Sequence, residues 1–319
     1  MKMKNKIKLG AAALIGGVAT GFLLKRAINS MIKANLHRSG IQNPKSSVMS
    51  QKNRDDFANN PETILGQLFQ TTAPQITVTI PNREGRHMNA LLYRQSNDNG
   101  KFAIVVHGYR SNVKSVSYIA RHYFENGYSV LVPHLRAHKG SDYEYCTMGW
   151  LERLDIVDWA NYLESQYNST HTVLHGVSMG AATVMMTTGE SLPSSVKCAI
   201  EDCGYTSVYD AYSFKIPKIM HLPPYPTVDI CRHAIKKKVG FDIKEASALN
   251  AVRKSRTPIL FLHGDSDTVV PSSMARELYS NATCDKDILI FPDTDHAMSP
   301  LAHSDKYWSR VWDFIADHE

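Results

Sequence analysis

Three side chains in this 319-residue sequence have the type and setting for nucleophilic catalysis: Ser178, Asp267 and His296. Ser178 lies in Gly176-Val177-Ser178-Met179-Gly180, with apolar Val173 and Leu174 before it and a helix-forming stretch, Ala181 to Met186, directly after. Gly-x-Ser-x-Gly between a strand and a helix is the pattern of a nucleophile elbow. A chain turns from strand to helix within one residue only if that residue adopts a strained backbone conformation, and the residues two before and two after must then be tiny. The hydroxyl is presented at the carboxyl end of the strand, beside the free N–H groups of a helix N-terminus. Without its flanking elements the five-residue pattern is weak, because glycine and serine are common.

An alcohol is a poor nucleophile at neutral pH, so a base must take its proton. His296 has that place in Pro292-Asp293-Thr294-Asp295-His296, directly after the apolar run Asp287 to Phe291. Asp267 follows the run Pro258 to Leu262 and would hold the imidazole in one tautomer. Asp265 competes for that role; Asp267 is preferred because Asp-x-x-Val-Pro leads directly into a helix start. Asp293 and Asp295 read as turn formers and receive no role. Backbone N–H groups must hold the developing oxyanion. Those expected are Met179, directly after the serine, and Tyr109, in the turn His107-Gly108-Tyr109. His107 is expected to brace that turn rather than react.

The elements that must position these groups alternate along the chain. An edge strand is expected at Gln75 to Ile80, a second strand joined to it by a hairpin at Met88 to Tyr93, and central strands at Phe102 to Val106 and Tyr128 to Val132. Helices are expected over Val113 to Asn126 and Gly149 to Tyr167; the elbow strand and helix follow, then a strand at Val196 to Ile200. Beyond the strand at Pro258 to Leu262 come helix Ser272 to Tyr279, strand Asp287 to Phe291 and a last helix from Leu301 to Asp317. Continuous apolar strands alternating with helices imply a mostly parallel, doubly wound α/β sheet with right-handed crossovers. In such sheets reactive groups gather at strand carboxyl ends, where Ser178, Asp267 and His296 each stand.

Regularity fails between Tyr205 and Asn250. The stretch holds Pro217, Pro223, Pro224, Pro226 and the cluster Lys236, Lys237, Lys238, yet stays rich in aromatic and aliphatic residues, so it reads as an inserted helical cap. Its Tyr, Phe and Pro content suggests small or aromatic acyl groups.

The net charge of +6 is a property of one end. Residues 1–54 hold 11 Lys/Arg and no acid, so the rest of the chain is net negative, with 25 basic against 30 acidic residues. That asymmetry argues for a membrane surface and against nucleic acid. Four lysines, Lys2, Lys4, Lys6 and Lys8, precede sixteen uncharged residues, Leu9 to Leu24, and Lys25 and Arg26 close the run. Residues 1–28 therefore read as a signal anchor, or alternatively as a cleaved signal peptide. Sixteen helical residues span about 24 Å, slightly short of a hydrocarbon core of about 30 Å, and flanking lysines would snorkel across the difference. Heavier positive charge before the run places the amino end in the cytoplasm and the main domain outside. Residues 29–70 read as a stalk and a docking helix, the latter with Phe57, Ile64, Leu65 and Leu68 at loose helical spacing. Five scattered cysteines, Cys146, Cys198, Cys203, Cys231 and Cys284, make neither a C-x-x-C pair nor a zinc spacing.

Several segments resemble the α/β-hydrolase superfamily: Phe102 to Tyr109, His175 to Met186, Glu201-Asp-Cys-Gly-Tyr-Thr-Ser207 and Phe261 to Pro271. Within it they are similar to membrane-anchored or secreted Gram-positive hydrolases related to prolyl oligopeptidase-like peptidases and serine aminopeptidase-type esterases. Leu135-Arg136-Ala137-His138, and Thr147 to Trp150 with Leu154 to Trp159, resemble the same group, and the likeness runs from about residue 75 to 317. It implies an α/β-hydrolase fold over 71–319 with the cap at 205–250, a serine hydrolase activity, and neither cofactor nor metal. Two departures stand out: His134 where relatives commonly carry Asp, with Lys139-Gly140 after it, and Thr294-Asp295 where many carry small residues. The resulting expectation is hydrolysis of carboxylic esters through an acyl-enzyme on Ser178. A peptidase, acyltransferase or thioesterase would use the same residues, and substrate choice resides in the cap. A non-catalytic surface-binding protein would predict an eroded triad, which is not seen. The expected partner is a small ester or a peptide.

Overall fold

A computed structural model describes residues 25–43, 50–97 and 99–319. A helix running through 25–35 (α1) and a short turn of helix, α2 (Arg38–Ile41), come first. Then α3 (Gln51–Asn59) and α4 (Pro61–Thr72) lead into β1 (Gln75–Pro81), β2 (His87–Tyr93) and β3 (Lys101–Val106). After a single 3₁₀ turn at Val113–Val116 the chain forms α5 (Ser117–Glu125), β4 (Ser129–Pro133), α6 (Glu152–Tyr167), β5 (His171–Val177), α7 (Met179–Thr188) and β6 (Val196–Asp202). Three helices follow, α8 (Val208–Met220), α9 (Pro224–Val239) and α10 (Ala248–Val252). Last come β7 (Ile259–Gly264), α11 (Ser272–Asn281), β8 (Lys286–Phe291), α12 (Ser299–Ala302) and α13 (Ser304–Ala316).

The eight strands form one sheet in the order β1-β2-β4-β3-β5-β6-β7-β8. The β1–β2 and β2–β4 pairs are antiparallel and all others parallel. Residues of β4 and β5 are buried throughout, as strands covered on both faces must be, whereas β1 buries Val78 alone and is a true edge. Period-two alternation sends Phe102, Ile104 and Val106 of β3 into one core, with α6, α7 and α11, and Ala103 and Val105 into the other, with α5 and α13. The sheet is doubly wound, the α/β-hydrolase architecture.

Two expected helices differ in detail. The stretch opening at Val113 begins as a tighter 3₁₀ turn, closed by a capping box between Asn112 and Ser115. The last helix is two, broken at His303, whose ring reaches back to Thr294 Oγ1 at 2.9 Å. The spacing expected of the docking helix is also corrected. Ile64, Leu65 and Leu68 are the exposed face of α4, and it is Gly66 that meets the backbone of Tyr118. Phe69 packs on Tyr93 and Phe124, Phe57 of α3 on Tyr118, and Glu62 on His122 at 2.7 Å. A glycine permits close helix crossing, so aromatic neighbours, not the aliphatic stripe, make the seam.

The lysine-flanked run Leu9 to Leu24 lies outside the described residues. Among those described, no helix is long and apolar enough to cross a membrane.

Candidate active site

Sterics force the turn at Ser178, whose φ of 57° and ψ of −116° are strained for a residue with a side chain. A methyl group on Gly176 would overlap the carbonyl of Gly180, and one on Gly180 would overlap the carbonyl of Val106 on β3. Both glycines are therefore demanded by close backbone approach. Ser178 N donates to Asp202 O at 2.8 Å, tying the turn to the neighbouring strand β6.

Loops leaving three strand ends meet here. His296 Nε2 lies 2.8 Å from Ser178 Oγ, and its Nδ1 lies 2.6 Å from Asp267 Oδ2. With Nδ1–H donating to the carboxylate, Nε2 is left to accept the serine proton. Asp267 is nearly fully used: Oδ1 accepts from Val269 N and Val270 N, each at 2.8 Å. Burial alone would raise its pKa, but the charges and hydrogen bonds of His296 and His263 hold the carboxyl well below the usual range. Asp265 is exposed and bonded to Ser266 Oγ, away from the imidazole.

The turn after β3 passes directly over the serine: a Cβ on Gly108 would stand 3.5 Å from Ser178 Cβ. Neither Tyr109 N–H nor Met179 N–H donates to another group among the described residues. His107 is fully buried, and its ring bonds Gly108 O at 2.9 Å and receives Leu135 N at 3.4 Å, so it braces the loop. Burial drives its pKa well down and keeps it neutral. The neighbouring Leu135–His138 segment is fastened by a bidentate pair, Arg136 to Asp155 at 2.6 and 2.7 Å. His138 Nε2 accepts Arg110 N at 3.0 Å. His134, the first departure from the family pattern, bonds Lys139 O at 2.7 Å and is not among the residues that line the cavity beside the serine.

Some groups carry more than their sequence setting signals. His263, the last side chain before the Asp267 loop, places Nε2 2.9 Å from Val270 O and 3.2 Å from Asp267 Oδ2. Asp295, expected to be a turn former only, accepts from Thr268 N at 2.9 Å, His296 N at 2.8 Å and Asn53 Nδ2 at 2.6 Å. It links the histidine loop to the aspartate loop and both to α3. The pairing with Asn53 spans 242 positions, and no local pattern announces it. Cys203, Asp267 and His296 present ligand atoms within 4.8 Å of one another. Both lone pairs that a metal would need, on His296 and Asp267, already serve hydrogen bonds, and burial pushes the Cys203 thiol up, so the set does not suit a cation. All five cysteines are free.

Beside Ser178 opens a cavity of about 440 Å³. Its walls come from α1 (Ile28, Met31, Asn35), from α8 and α9 (Tyr212, Ile216, Ile230), from Tyr109, and from Val269 and Val270 after β7. Tyr109 Oη donates to Asn35 O at 2.8 Å and Arg110 to Ala34 O at 2.7 Å, so the turn over the serine also pins the end of α1.

A profile of the prolyl oligopeptidase family, Peptidase_S9, matches residues 114–318. The chain belongs to that family. It is accordingly a serine hydrolase, acting on small-molecule or peptide substrates. An uncharacterized protein of Bacillus subtilis (strain 168), YqkD, is 26% identical over 213 residues, which cover 66% of this chain and 70% of YqkD. YfhR of Escherichia coli (strain K12), also uncharacterized, is 26% identical over 47% of each chain. Among solved structures, the esterase Pf2001 of Pyrococcus furiosus superposes with a TM-score of 0.64 at 20% identity, over 86% of this chain and 99% of the esterase. A Mycobacterium tuberculosis puromycin-hydrolyzing peptidase gives 0.61 at 16% identity, over 77% of this chain and 39% of the peptidase. At these identities the structural likeness speaks for the fold of the serine hydrolase.

Proposed function

We propose that this serine hydrolase cleaves carboxylic esters through an acyl-enzyme on Ser178. The observation that carries the reading is the hydrogen-bonded chain Ser178 Oγ–His296 Nε2, His296 Nδ1–Asp267 Oδ2 opening onto an apolar cavity. His296 takes the serine proton as Oγ attacks the ester carbonyl and returns it to the departing alkoxide; water then repeats the cycle on the acyl-enzyme. Asp267 orients the imidazole and stabilises the imidazolium, and the N–H groups of Tyr109 and Met179 receive the oxyanion.

Esters are favoured over peptides by what the cavity leaves unused. A peptide brings N–H and C=O groups that need partners once buried. Several of the wall's polar side chains are already committed: Tyr109 Oη to Asn35 O, Asn35 Nδ2 to Met31 O, Tyr205 Oη to Met148 O; Lys215, which can donate but not accept, offers nothing to a buried peptide N–H. The lining is mainly aliphatic and thioether-rich, with Tyr109, Tyr205 and Tyr212 among it, so this reading extends the small or aromatic acyl group suggested by the composition of 205–250 to an aliphatic one. Tyr225 projects outward at 76% exposure, and Phe214 carries Lys218 over its ring.

The test is a fluorophosphonate probe followed by a matched panel of p-nitrophenyl esters and aminoacyl p-nitroanilides. Labelling of Ser178 and burst kinetics on the esters are expected; faster turnover of the anilides would replace this reading with a peptidase.

The unit boundaries, 1–28, 29–70 and 71–319 with a cap at 205–250, belong to the same proposal, as does a tether through Leu9 to Leu24 holding the domain outside the cell. Since α1 lines the cavity from residue 27, such a tether would set the cavity close to the bilayer. Carbonate washing of membranes checks it, full release being the adverse result.

A further inference from the structure

The cavity beside Ser178 holds a charge that the fold does not use. Among the described residues that line it there is one lysine, Lys215, and no carboxylate. Lys215 lies on α8 one turn after Ala211 and Tyr212 and next to Ile216, which line the same cavity, so helical periodicity puts it on the cavity face. Among the described residues it has neither a hydrogen bond nor an ion pair. Neighbouring cations of the α8–α9 region are differently placed. Arg232 pairs with Asp242 at 2.6 Å, Lys236 with Asp242 at 3.2 Å and Lys244 with Asp229 at 3.4 Å. Lys218, one turn on, is exposed and rests on the Phe214 ring at 3.5 Å.

The charged group that acts on Lys215 is itself a cation. Burial and the field of Arg110 both lower the lysine pKa. Arg110 donates to Ala34 O, its Nε is buried without a partner, and among the described residues it has no carboxylate within salt-bridge reach. An ammonium held against an apolar wall within the field of a guanidinium, with no anion paired to either among the described residues, is unfavourable in the empty protein. A ligand that carries the missing anion removes that penalty when it binds, while a neutral or cationic one does not.

We propose that the substrate is an anionic amphiphile: an ester whose apolar part fills the cavity and whose single carboxylate, or similar anion, is held by Lys215 with Arg110 behind it. This rests on Ser178 being the nucleophile and extends it to substrate class. Lys215 is a specificity-determining residue and takes no part in proton transfer. The anion belongs either to the acyl chain, as an ω-carboxyacyl ester, or to the alcohol.

Two matched pairs separate those sources. One compares mono-p-nitrophenyl adipate and suberate with p-nitrophenyl hexanoate and octanoate. The other compares 4-nitro-3-octanoyloxybenzoate with 2-nitrophenyl octanoate and with its own methyl ester. A charge-assisted hydrogen bond of ordinary strength predicts a preference for the anionic member on the order of 10–100-fold in kcat/KM, in one pair or the other. That preference is expected to disappear in Lys215→Met, persist in Lys215→Arg, and be unchanged in Lys218→Met. Lys215→Glu should turn the preference toward an ω-trimethylammonio ester. If the wild-type protein shows no anionic preference in either pair, the proposal is wrong, whether or not the variants fold. A preference that survives Lys215→Met with an unaltered melting temperature also overturns it. Fluorophosphonate labelling of wild-type Ser178 keeps the two levels apart: labelling without charge preference removes the role of Lys215 alone, whereas no labelling removes the nucleophile.

Discussion

The floor and the roof of the cavity are built on different principles. The floor consists of loops that leave β3, β5, β7 and β8, and its polar groups are held by short, directional bonds to strand ends. Asp267 alone takes two backbone N–H groups and an imidazole. The roof consists of α1, α8 and α9, which meet the rest of the molecule largely through aliphatic packing of Ile32, Leu36, Val208, Val228 and Ile235. Its directional ties to the loop over the serine are few: Tyr109 to Asn35 and Arg110 to Ala34. Directional bonds give the sub-ångström placement that proton transfer requires, while apolar packing tolerates repacking. The proposed function accordingly puts chemistry on the floor and selectivity on the roof.

The contrast is broken most easily at the floor. Ser178→Ala and His296→Ala are each expected to lower kcat/KM by at least about 10⁴-fold, and the double variant to be little worse than either, because the two act as one unit. Independent, multiplying losses in a kinetic comparison of the three variants would show that the residues do not share a proton path. Asp267→Asn is expected to cost about 10⁴-fold with the fold intact, since an amide presents the wrong tautomer partner. Near-normal turnover would return the role to another carboxylate.

Next in size is a stability effect beneath the floor. Arg136→Met leaves Asp155 buried without its cation, and breaking such a pair costs about 3–5 kcal/mol. Chemical denaturation should show it, and an unchanged midpoint would mean that the Leu135–His138 segment is held by packing alone. A pH effect follows from Glu201, fully buried on β6. Burial lifts its pKa to about 8, above the ordinary carboxyl value, despite the attraction of His263 and the hydrogen bond from Gly204 N. The folded state therefore keeps a proton that the unfolded chain has lost, and this group's contribution to stability falls as pH rises between the two values, by up to about 1.4 kcal/mol per pH unit. Glu201→Gln lacks that loss, so the Tm of the variant relative to wild type should climb from pH 5 to pH 9. A gap independent of pH would mean that Glu201 is ionised in the folded protein.

The smallest effects belong to the roof. Ile28→Ala and Met31→Ala should shift the preferred acyl length upward by a few carbons with kcat for a short ester nearly unchanged. Tyr109→Phe removes one hydrogen bond to α1, worth about 1 kcal/mol, and should raise KM a few-fold. A loss as large as that of Asp267→Asn would show that the roof also places reacting atoms.

These regions also differ in how far they can be read from the sequence. Ser178 with Gly176 and Gly180 is legible because its constraint is local: five consecutive residues encode a turn whose sterics admit nothing larger at two of them. Asp267 and His296 are legible one step further, as polar residues in the turns that follow the apolar runs of β7 and β8 in a parallel sheet. The sheet itself is readable from its continuous apolar runs, each long enough to be a strand and bounded by turn residues. The exposed Ile64, Leu65 and Leu68 show where periodicity misleads, since α4 is seated through Gly66 and aromatic partners on other elements.

By itself, then, the order of residues determined the elbow, the alternation of strands and helices, and which strand ends carry the proposed serine, aspartate and histidine, because these depend on backbone sterics and short-range periodicity. Tertiary structure alone decided that α1 forms a wall of the cavity, that Asn53 reaches Asp295, and that Lys215 faces the serine's cavity without a counter-ion. Those outcomes depend on which surfaces meet across long stretches of chain, and that meeting is settled by packing of the whole molecule rather than by any segment of it.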